Sequence, residues 1–336
     1  MRRAGNLFER IATRENLREA FGKAARGKRA RAGVREFAAD LESRLAEIGR
    51  TLTNETIPVG RFYQFLIRDP KERVITAPCF EERVMHHAII NVCEPAFERW
   101  LIDDTFACRT GKGREAAVLR AATFARRYGW CLKLDMRKYF DSVPHHRLSA
   151  LLRRRFKDER LLNLFDRIIG SFRGGVGRGL PIGSLTSQHL ANFYLGWFDR
   201  FVKEELRVRG YVRYMDDNVL WHDNHGRLRR LQTDCMGLLA EKLELAAKPN
   251  GIQRSTVGLN FLGCRIFPTH TILSRRSRKR WRRKVLCLSR AERLGLVGEL
   301  DLQTRLEAAT AFARGAGVKS WRFRRAVLEP FQVGDP

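Results

Sequence analysis

The pattern of apolar and polar positions predicts regular structure along most of the chain. WCLKLDM (130–136) alternates as a short strand does, with Leu132 and Leu134 on one face. HHRLSALLRRRF (145–156) instead places its apolar residues at helical spacing. GGVGRGLP (174–181) is rich in glycine, whose backbone is unrestricted by a side chain, so this stretch is predicted to be a loop.

The pattern that follows predicts a helix, a hairpin, a second helix and a strand. The first helix begins near Ser184 and ends at Gly210, because the apolar residues between 190 and 206 keep to one helical face. YVRYM (211–215) and NVLW (218–221) are predicted strands joined by a tight Asp216-Asp217 turn. A helix over about 226–244 and a strand at NFLGCRIF (260–267) complete the segment. This order favours an α+β fold, a sheet with helices on one face.

Composition divides the chain into three parts. Residues 1–50 form a basic, helical N-terminal extension, residues 51–266 hold most strand signals and the candidate chemistry, and residues 267–336 are again basic and helical. No apolar run approaches the roughly 20 residues of a membrane span, and the N-terminus has no apolar core of a secretory signal. Seven scattered cysteines without a CxxC pair indicate reduced thiols. We therefore expect a cytoplasmic protein with no membrane partner.

The charge of the chain indicates a polyanionic partner. Lys and Arg total 65 against 37 Asp and Glu, a formal net charge of +28, which points to nucleic acid. In RRSRKRWRRK (275–284) every residue except Ser277 and Trp281 is basic. A localisation signal or a disordered tail would have this composition, but Trp281, Val285 and Leu288 continue at helical spacing. A helix with one packed side and one side facing a nucleic-acid backbone is therefore favoured.

Three aspartates are the candidates for catalysis. Asp216 and Asp217 are adjacent, and two neighbouring carboxylates raise each other's pKa unless a cation relieves the repulsion. Asp135, near the end of its own strand, supplies a third carboxylate if the strands are neighbours. Oxygen donors alone favour Mg²⁺ or Mn²⁺, and two such ions would serve an in-line phosphoryl transfer. A solvated turn and a helix cap are the alternatives for each feature alone, whereas their combination on a basic chain favours a metal site.

Several segments resemble one family. Tyr214-Met215-Asp216-Asp217 resembles the YxDD signature of reverse transcriptases, LDMRKYFDSVPHHRL (134–148) their motif A, and LPIGSLTSQHLANFYL (180–195) their motif B. Three further segments resemble the same family. Residues 71–89 are similar to the fingers motif of group II intron-type enzymes, residues 103–117 to the block after it, and residues 258–266 to the primer grip. The resemblance implies a right-hand polymerase fold, with fingers and palm (an antiparallel sheet backed by helices) in 51–266 and a helical thumb in 267–336.

One departure from the family pattern indicates a subfamily. Most reverse transcriptases carry QGxxxSP in motif B, whereas IGSLTSQ (182–188) resembles the enzymes of diversity-generating retroelements. Those enzymes copy a template-repeat RNA, misincorporate opposite adenine and diversify a target gene, a process called mutagenic retrohoming. The resemblance implies dNTPs, template RNA, an RNA/DNA hybrid and a multimeric small helical accessory protein as partners, in a bacterial, archaeal or phage-encoded system. A retron- or defence-type reverse transcriptase and a non-catalytic RNA-binding maturase-like module are the alternatives.

The resemblance also assigns roles to individual residues. The metal set is Asp135, Met136, Asp216 and Asp217, with two Mg²⁺ ions or Mn²⁺ in their place. The nucleotide-binding set is Lys71, Arg73, Arg83, Phe140, Ile182, Gly183 and Lys248. The template- and primer-binding set is Arg109, Lys112, Gln188, Gly263, Arg275, Arg278 and Arg282. Each basic residue has a solvated surface position as its alternative.

Two positions in the nucleotide set carry specific expectations. Phe140 matches the family's sugar gate, where a bulky ring excludes a 2′-hydroxyl, although Tyr139 beside it is a rival. Ile182 stands where the wider family has Gln, so the pocket keeps its bulk and loses a hydrogen-bonding group. That loss is expected to lower fidelity.

Overall fold

The structure is a computed structural model that describes residues 3–68, 72–172, 174–314, 325 and 327. It divides into two compact units, each built from three stretches of chain. The first contains Met1–Asp103, Asp135–Glu205 and Asp234–Lys248, and the second contains Asp104–Leu134, Leu206–Thr233 and Pro249–Pro336. The division into 1–50, 51–266 and 267–336 stays a prediction.

The helices, in chain order, are α1 (Phe8–Ile11), α2 (Arg14–Ala25), α3 (Ala32–Ala39), α4 (Leu41–Thr53), α5 (Phe80–Glu98), α6 (Arg114–Arg127), α7 (Tyr139–Ser142), α8 (His145–Arg155), α9 (Glu159–Gly170), α10 (Leu185–Arg200), α11 (His225–Glu241), α12 (Arg275–Arg293) and α13 (Glu299–Arg314). The strands are β1 (Phe62–Ile67), β2 (Arg73–Pro78), β3 (Trp130–Met136), β4 (Gly210–Tyr214), β5 (Asp217–His222), β6 (Ala247–Arg254), β7 (Leu259–Phe261), β8 (Cys264–Ile266) and β9 (Thr271–Leu273). A π-helical turn at Phe201–Glu205 follows α10.

The first unit is built around α5, which is buried along most of its length. Helix α2 packs along it, and Asn16 of α2 donates from Nδ2 to the carbonyl oxygen of Ala88 at 3.0 Å. At the start of α5, the Phe80 ring meets Phe37 of α3 edge-on, with centroids 5.2 Å apart. The antiparallel hairpin β1–β2 precedes α5 and leaves much of its apolar surface exposed.

The second unit contains a four-stranded sheet in the order β4-β5-β3-β6 and a three-stranded sheet in the order β7-β8-β9. Val212 of β4 and Trp221 of β5 enter its core, where Phe124 of α6 and Trp281 of α12 join them. The chain leaves this unit within β3, after Leu134. The mixture of helices and sheet confirms the α+β class.

Four predicted elements are confirmed with little change, and two of them are the helices at 145–156 and about 226–244, which are α8 and α11. The strand at 130–136 is β3, and its burial alternates after Leu132 as predicted. The long helix begins directly after Ser184. Its predicted end at Gly210 is wrong, because the helical turns stop at Glu205 and Gly210 opens β4.

The hairpin that carries Asp216 and Asp217 differs from its prediction by one residue. Tyr214 pairs with Asp217, so the two turn residues are Met215 and Asp216, and Asp217 is the first residue of β5. The turn depends on Met215 adopting a left-handed backbone, with φ +55°. Apolar periodicity does not report that conformation.

The predicted single strand at 260–267 is wrong in the same way. It is a tight hairpin of β7 and β8, in which Phe261 pairs with Cys264. Leu262 and Gly263 form the turn at φ +47° and +78°, as a two-residue hairpin requires. Strands β1, β2, β6 and β9 were not predicted. None of the described helices is long and apolar enough to cross a membrane.

Candidate active site

The segment Met215, Asp216 and Asp217, called the acidic turn from here on, joins β4 to β5 and includes the first residue of β5. Buried polar side chains stabilise it. Arg213 is fully buried and donates from Nη1 to the carbonyl oxygen of Met215 at 3.1 Å. Asn218, also fully buried, donates from Nδ2 to the carbonyl oxygen of Asp216 at 2.8 Å, and its own Oδ1 accepts from Tyr211 Oη at 2.9 Å. The turn is therefore preformed, because its carbonyls are satisfied without water.

Strand β3 lies beside β5 in the sheet and carries the other candidate carboxylate. Lys133 and Asp135 are partly buried on one face of β3, whereas Leu132 and Leu134 are fully buried. The Lys133 ammonium is 2.6 Å from Oδ1 of Asp217. Sequence reasoning missed both Lys133 and Arg213, although the strand alternation places Lys133 on the face of Asp135.

The donor set fits a hard divalent cation by its chemistry. The described residues contain no group of at least three His, Cys, Asp or Glu side chains that could hold a metal ion. Asp217 nevertheless already accepts a cation, the Lys133 ammonium, at contact distance. The Met136 side chain is a buried thioether without oxygen, so the backbone carbonyl is the one oxygen donor of that residue. Carboxylate and carbonyl oxygens are the ligands that Mg²⁺ and Mn²⁺ prefer.

Tyr139 and Phe140 have different environments. Tyr139 is buried, and its hydroxyl donates to the carbonyl oxygen of Ala191 on α10. Phe140 is only partly buried, with its ring 5.7 Å from that of Tyr139 and nearly perpendicular to it. Tyr139 is thus part of the core of the first unit. Of these two aromatic rings, the partly exposed ring of Phe140 is the one that a ligand can reach.

The loop before α10 is hydrogen-bonded to the β1–β2 hairpin. Thr76 of β2 donates its backbone N–H to the carbonyl oxygen of Ile182 at 2.7 Å. Gly183 has φ +123°, and a Cβ at this position would lie 2.7 Å from Cγ2 of Ile75 and 3.1 Å from the carbonyl oxygen of Thr76. Only glycine meets both conditions. The close approach seen at Gly183 is therefore to β2.

A buried polar chain supports the same loop. The Ser184 hydroxyl is 3.1 Å from Nδ1 of His86 on α5, and Nε2 of His86 is 3.6 Å from Oε1 of Glu82. Burial lowers the pKa of His86 to about 3, so the ring is neutral at physiological pH. Burial raises the pKa of Glu82, whose carboxylate accepts the backbone N–H groups of Gly60 and Arg61 at 3.0 Å. The Glu82–His86 spacing of four residues was the only sequence signal for this network.

The predicted triphosphate-binding residues differ in their surroundings, and their shared role stays a prediction. Lys71 lies outside the described residues, and Arg73 is exposed at the start of β2. Arg83 lines a cavity of about 810 Å³ with Lys28 and Arg31. Burial, and then the charges of Arg83 and Arg31, lower the pKa of Lys28. Glu36 and Glu81 line the same cavity, where they lie within 4.0 Å of Arg44 or Arg61. The lining is therefore mixed in charge, with an excess of basic residues.

The remaining predicted contacts are spread over both units. Lys248 is exposed in β6, and Gln188 is partly buried on α10. Arg109 donates from Nη1 to the carbonyl oxygen of Thr105 at 2.9 Å, and the Lys112 ammonium lies 5.2 Å from the centre of the Phe106 ring. Arg109 and Lys112 thus brace their own loop.

The hairpin of β7 and β8 is stabilised by Arg114, the first residue of α6. Arg114 donates from Nε to the carbonyl oxygen of Leu262 at 2.9 Å, directly before Gly263. Its Nη2 also contacts the thiol of Cys264 at 3.3 Å. A guanidinium that grips both sides of the turn keeps β7 and β8 in register.

Helix α12 has the two-sided character that its sequence predicts. Trp281, Val285 and Leu288 are buried. Arg275, Arg278 and Arg282 are exposed at helical spacing. A packed apolar side and a basic exposed side are the features expected of a helix that lies along a phosphate backbone.

We expect RNA binding to depend strongly on salt, and this helix to contribute to that dependence. Replacing Arg275, Arg278 and Arg282 together by Gln should reduce the slope of log K against log[salt] by about two to three, because each phosphate contact contributes close to one. Fluorescence anisotropy over a salt series measures the slope. Arg229→Gln with Arg230→Gln, two exposed positions on α11, is the control. A triple variant with the wild-type slope would exclude α12 from the RNA contact.

Residues 68–266 match the family described as reverse transcriptase (RNA-dependent DNA polymerase), and the chain belongs to that family. Among its relatives, Protein YkfC of Escherichia coli is 25% identical over 62% of this chain and 65% of its own length. The group II intron-encoded protein LtrA of Lactococcus lactis is 26% identical over 48% of this chain and 28% of its own. Nuclear intron maturase 4 of Arabidopsis thaliana is 28% identical over 44% and 19%. The chain thus spans less than two thirds of each of these relatives.

Among solved structures, a telomerase from Candida albicans in complex with a fragment of telomeric RNA is similar over 83% of this chain and 57% of its own. The TM-score is 0.47 and the identity 9%.

Proposed function

We propose that this protein is an RNA-directed DNA polymerase that extends a primer with dNTPs on an RNA template. The acidic turn carries the proposal. Arg213 and Asn218 fix its backbone by hydrogen bonds to its carbonyl oxygens. It places Asp216 and Asp217 at the N-terminal end of β5, the strand beside β3. Asp216 and Asp217 are adjacent and partly buried, so their like charges repel each other and a neutral pair would cost less. Two carboxylates kept at such a position favour a catalytic use.

Asp135, Asp216 and Asp217, with the carbonyl of Met136, are the proposed ligands of two divalent cations. When bound, these ions lower the charge at the attacking and leaving oxygens of nucleotidyl transfer. The protein's own groups position the reactants. Phe140 excludes a 2′-hydroxyl, the loop at Ile182 and Gly183 forms a wall of the nucleotide pocket, and α12 holds the phosphate backbone of the hybrid.

The subtype that we propose is the reverse transcriptase of a diversity-generating retroelement. IGSLTSQ (182–188) supports it, because an apolar Ile replaces the amide that most of the family carries there. In this role the enzyme copies a template-repeat RNA into cDNA with errors at adenines, and works with a multimeric small helical accessory protein. The high positive charge suits both an RNA and an acidic protein partner.

Primer extension on RNA by the purified protein, with the products sequenced, tests both levels of the proposal. Template-dependent cDNA with errors concentrated at template adenines supports the retroelement subtype. Accurate cDNA favours a retron- or defence-type enzyme. RNA binding without any nucleotide incorporation, both by the protein alone and with its accessory protein, favours the maturase-like module and contradicts the polymerase proposal.

Ile182→Gln is expected to lower the error rate opposite template adenine by roughly ten- to a hundredfold, with a smaller change at other bases. The restored amide would again hydrogen-bond near the nascent base pair. Its backbone contact to Thr76 does not involve the side chain, so the loop should keep its position. Ile182→Leu, which adds no polar group, is the control and should keep the wild-type error spectrum. An Ile182→Gln enzyme that extends normally with unchanged adenine errors would remove Ile182 from fidelity.

A further inference from the structure

Lys133 of β3 directs its ammonium at the acidic turn. Nζ lies 2.6 Å from Oδ1 of Asp217, the distance of a charge-assisted hydrogen bond. The Lys133 side chain is 20% exposed and that of Asp217 is 29% exposed. Water therefore screens the pair only in part, and the pair is stronger than one on the open surface.

We propose that Lys133 is the resident counter-ion of Asp217, and that a divalent cation must exchange with its ammonium before Asp217 can hold the metal. This inference rests on the proposed function, since it takes Asp217 as a metal ligand. Oδ1 of Asp217 attracts a second cation less strongly, because the Lys133 ammonium already neutralises part of its negative charge. A divalent ion arriving beside the ammonium would also be repelled by it.

The position of Lys133 in the strand explains why the pair forms. Alternation along β3 puts Lys133 on the face opposite the buried Leu132 and Leu134, where it reaches the first residue of the neighbouring strand. An unpaired Lys that is only one-fifth exposed would lose hydration without compensation. The same bond relieves the repulsion between the adjacent carboxylates of Asp216 and Asp217.

The exchange of the Lys133 ammonium for a divalent cation has two consequences that can be measured without assaying catalysis. Lys133 should stabilise the metal-free protein, because it neutralises one carboxylate of the turn. It should also weaken metal binding, because the metal displaces an existing cation. A Lys133 that only stabilised the fold would produce the first effect and leave metal affinity unchanged.

Lys133→Met separates these cases, since Met keeps an unbranched apolar stem and removes the charge. We expect calorimetric titration of the full chain with Mn²⁺, without nucleic acid, to show about three- to tenfold tighter binding in this variant. Its melting temperature in EDTA should fall, and the rise in melting temperature on adding Mn²⁺ should exceed that of the wild type. Lys133→Arg keeps a cation and should bind Mn²⁺ close to the wild-type affinity. Lys242→Met, at an exposed position on another segment, should change neither measurement.

A double-mutant cycle assigns the effect to Asp217. In an Asp217→Asn background, Lys133→Met should change Mn²⁺ affinity much less. The oxygen for which the two cations compete has lost its charge, and only the repulsion between the ammonium and the ion remains. Unchanged Mn²⁺ affinity of Lys133→Met, in a chain whose Mn²⁺ binding is lost in Asp216→Asn, would overturn this inference and leave the proposed function standing. A wild-type chain that binds no Mn²⁺, or binds it equally well as Asp216→Asn, would overturn both.

Discussion

Replacing Asp216 by Asn is expected to reduce primer extension on RNA by about a thousandfold or more, and to leave RNA affinity within about twofold of the wild type. The Asn side chain has no charge and one oxygen, so it holds a hard divalent cation poorly. The turn itself should persist, because Asn218 holds the backbone carbonyl of residue 216 and not its side chain. Binding should persist as well, since phosphate contacts elsewhere supply most of it.

Primer extension and anisotropy with the same RNA measure the two quantities in parallel. Asp234→Asn is the matched control, because Asp234 is an exposed aspartate on α11 with no role in the proposed site. It should keep both activity and affinity. Full-length product from Asp216→Asn at the wild-type rate would contradict the two-metal assignment.

Replacing Phe140 by Ala is expected to raise the incorporation of ribonucleotides relative to deoxynucleotides by roughly ten- to a hundredfold. Removing the ring opens the space that a 2′-hydroxyl would occupy. Competing rNTP and dNTP incorporation on one template measures the ratio. The large change is expected at Phe140 because its neighbour is already engaged, with the Tyr139 hydroxyl bonded to the backbone of α10.

Tyr139→Phe is the control for this experiment. It removes the buried hydroxyl and keeps the ring, so it should cost about 1 kcal/mol of stability and leave the nucleotide ratio unchanged. If the ratio instead changed in Tyr139→Phe and not in Phe140→Ala, Tyr139 would be the sugar gate.

Local periodicity was sufficient where an element is long or strongly patterned. The strand at 130–136 and the helix that starts after Ser184 follow from their apolar spacing, and the structure confirms both. Periodicity failed at the two tight hairpins. Each contains a non-glycine residue with a left-handed backbone, Met215 in one and Leu262 in the other, and no side-chain pattern marks that conformation.

Strands β1 and β2 were missed for a different reason. The apolar residues of β1 are exposed on both faces of the hairpin, and Val74 of β2 is exposed too. Burial therefore does not impose on β1 the alternation that identifies a half-buried strand. The loop at Ile182 depends on this hairpin, because Thr76 supplies its hydrogen bond. The sequence pattern alone therefore could not predict the shape of the proposed nucleotide pocket.

The sequence by itself determined the chemistry that this protein can support. The charge of +28, the three aspartates and the ordered segments similar to reverse transcriptases all lie in the composition and order of residues. Only the tertiary structure decided which groups act on one another. Burial turned Arg213 into a support of the acidic turn, and strand pairing brought Lys133 against Asp217. Residues 84 positions apart meet only when the sheet assembles, because spacing along a strand or helix specifies a face and not the neighbour across it.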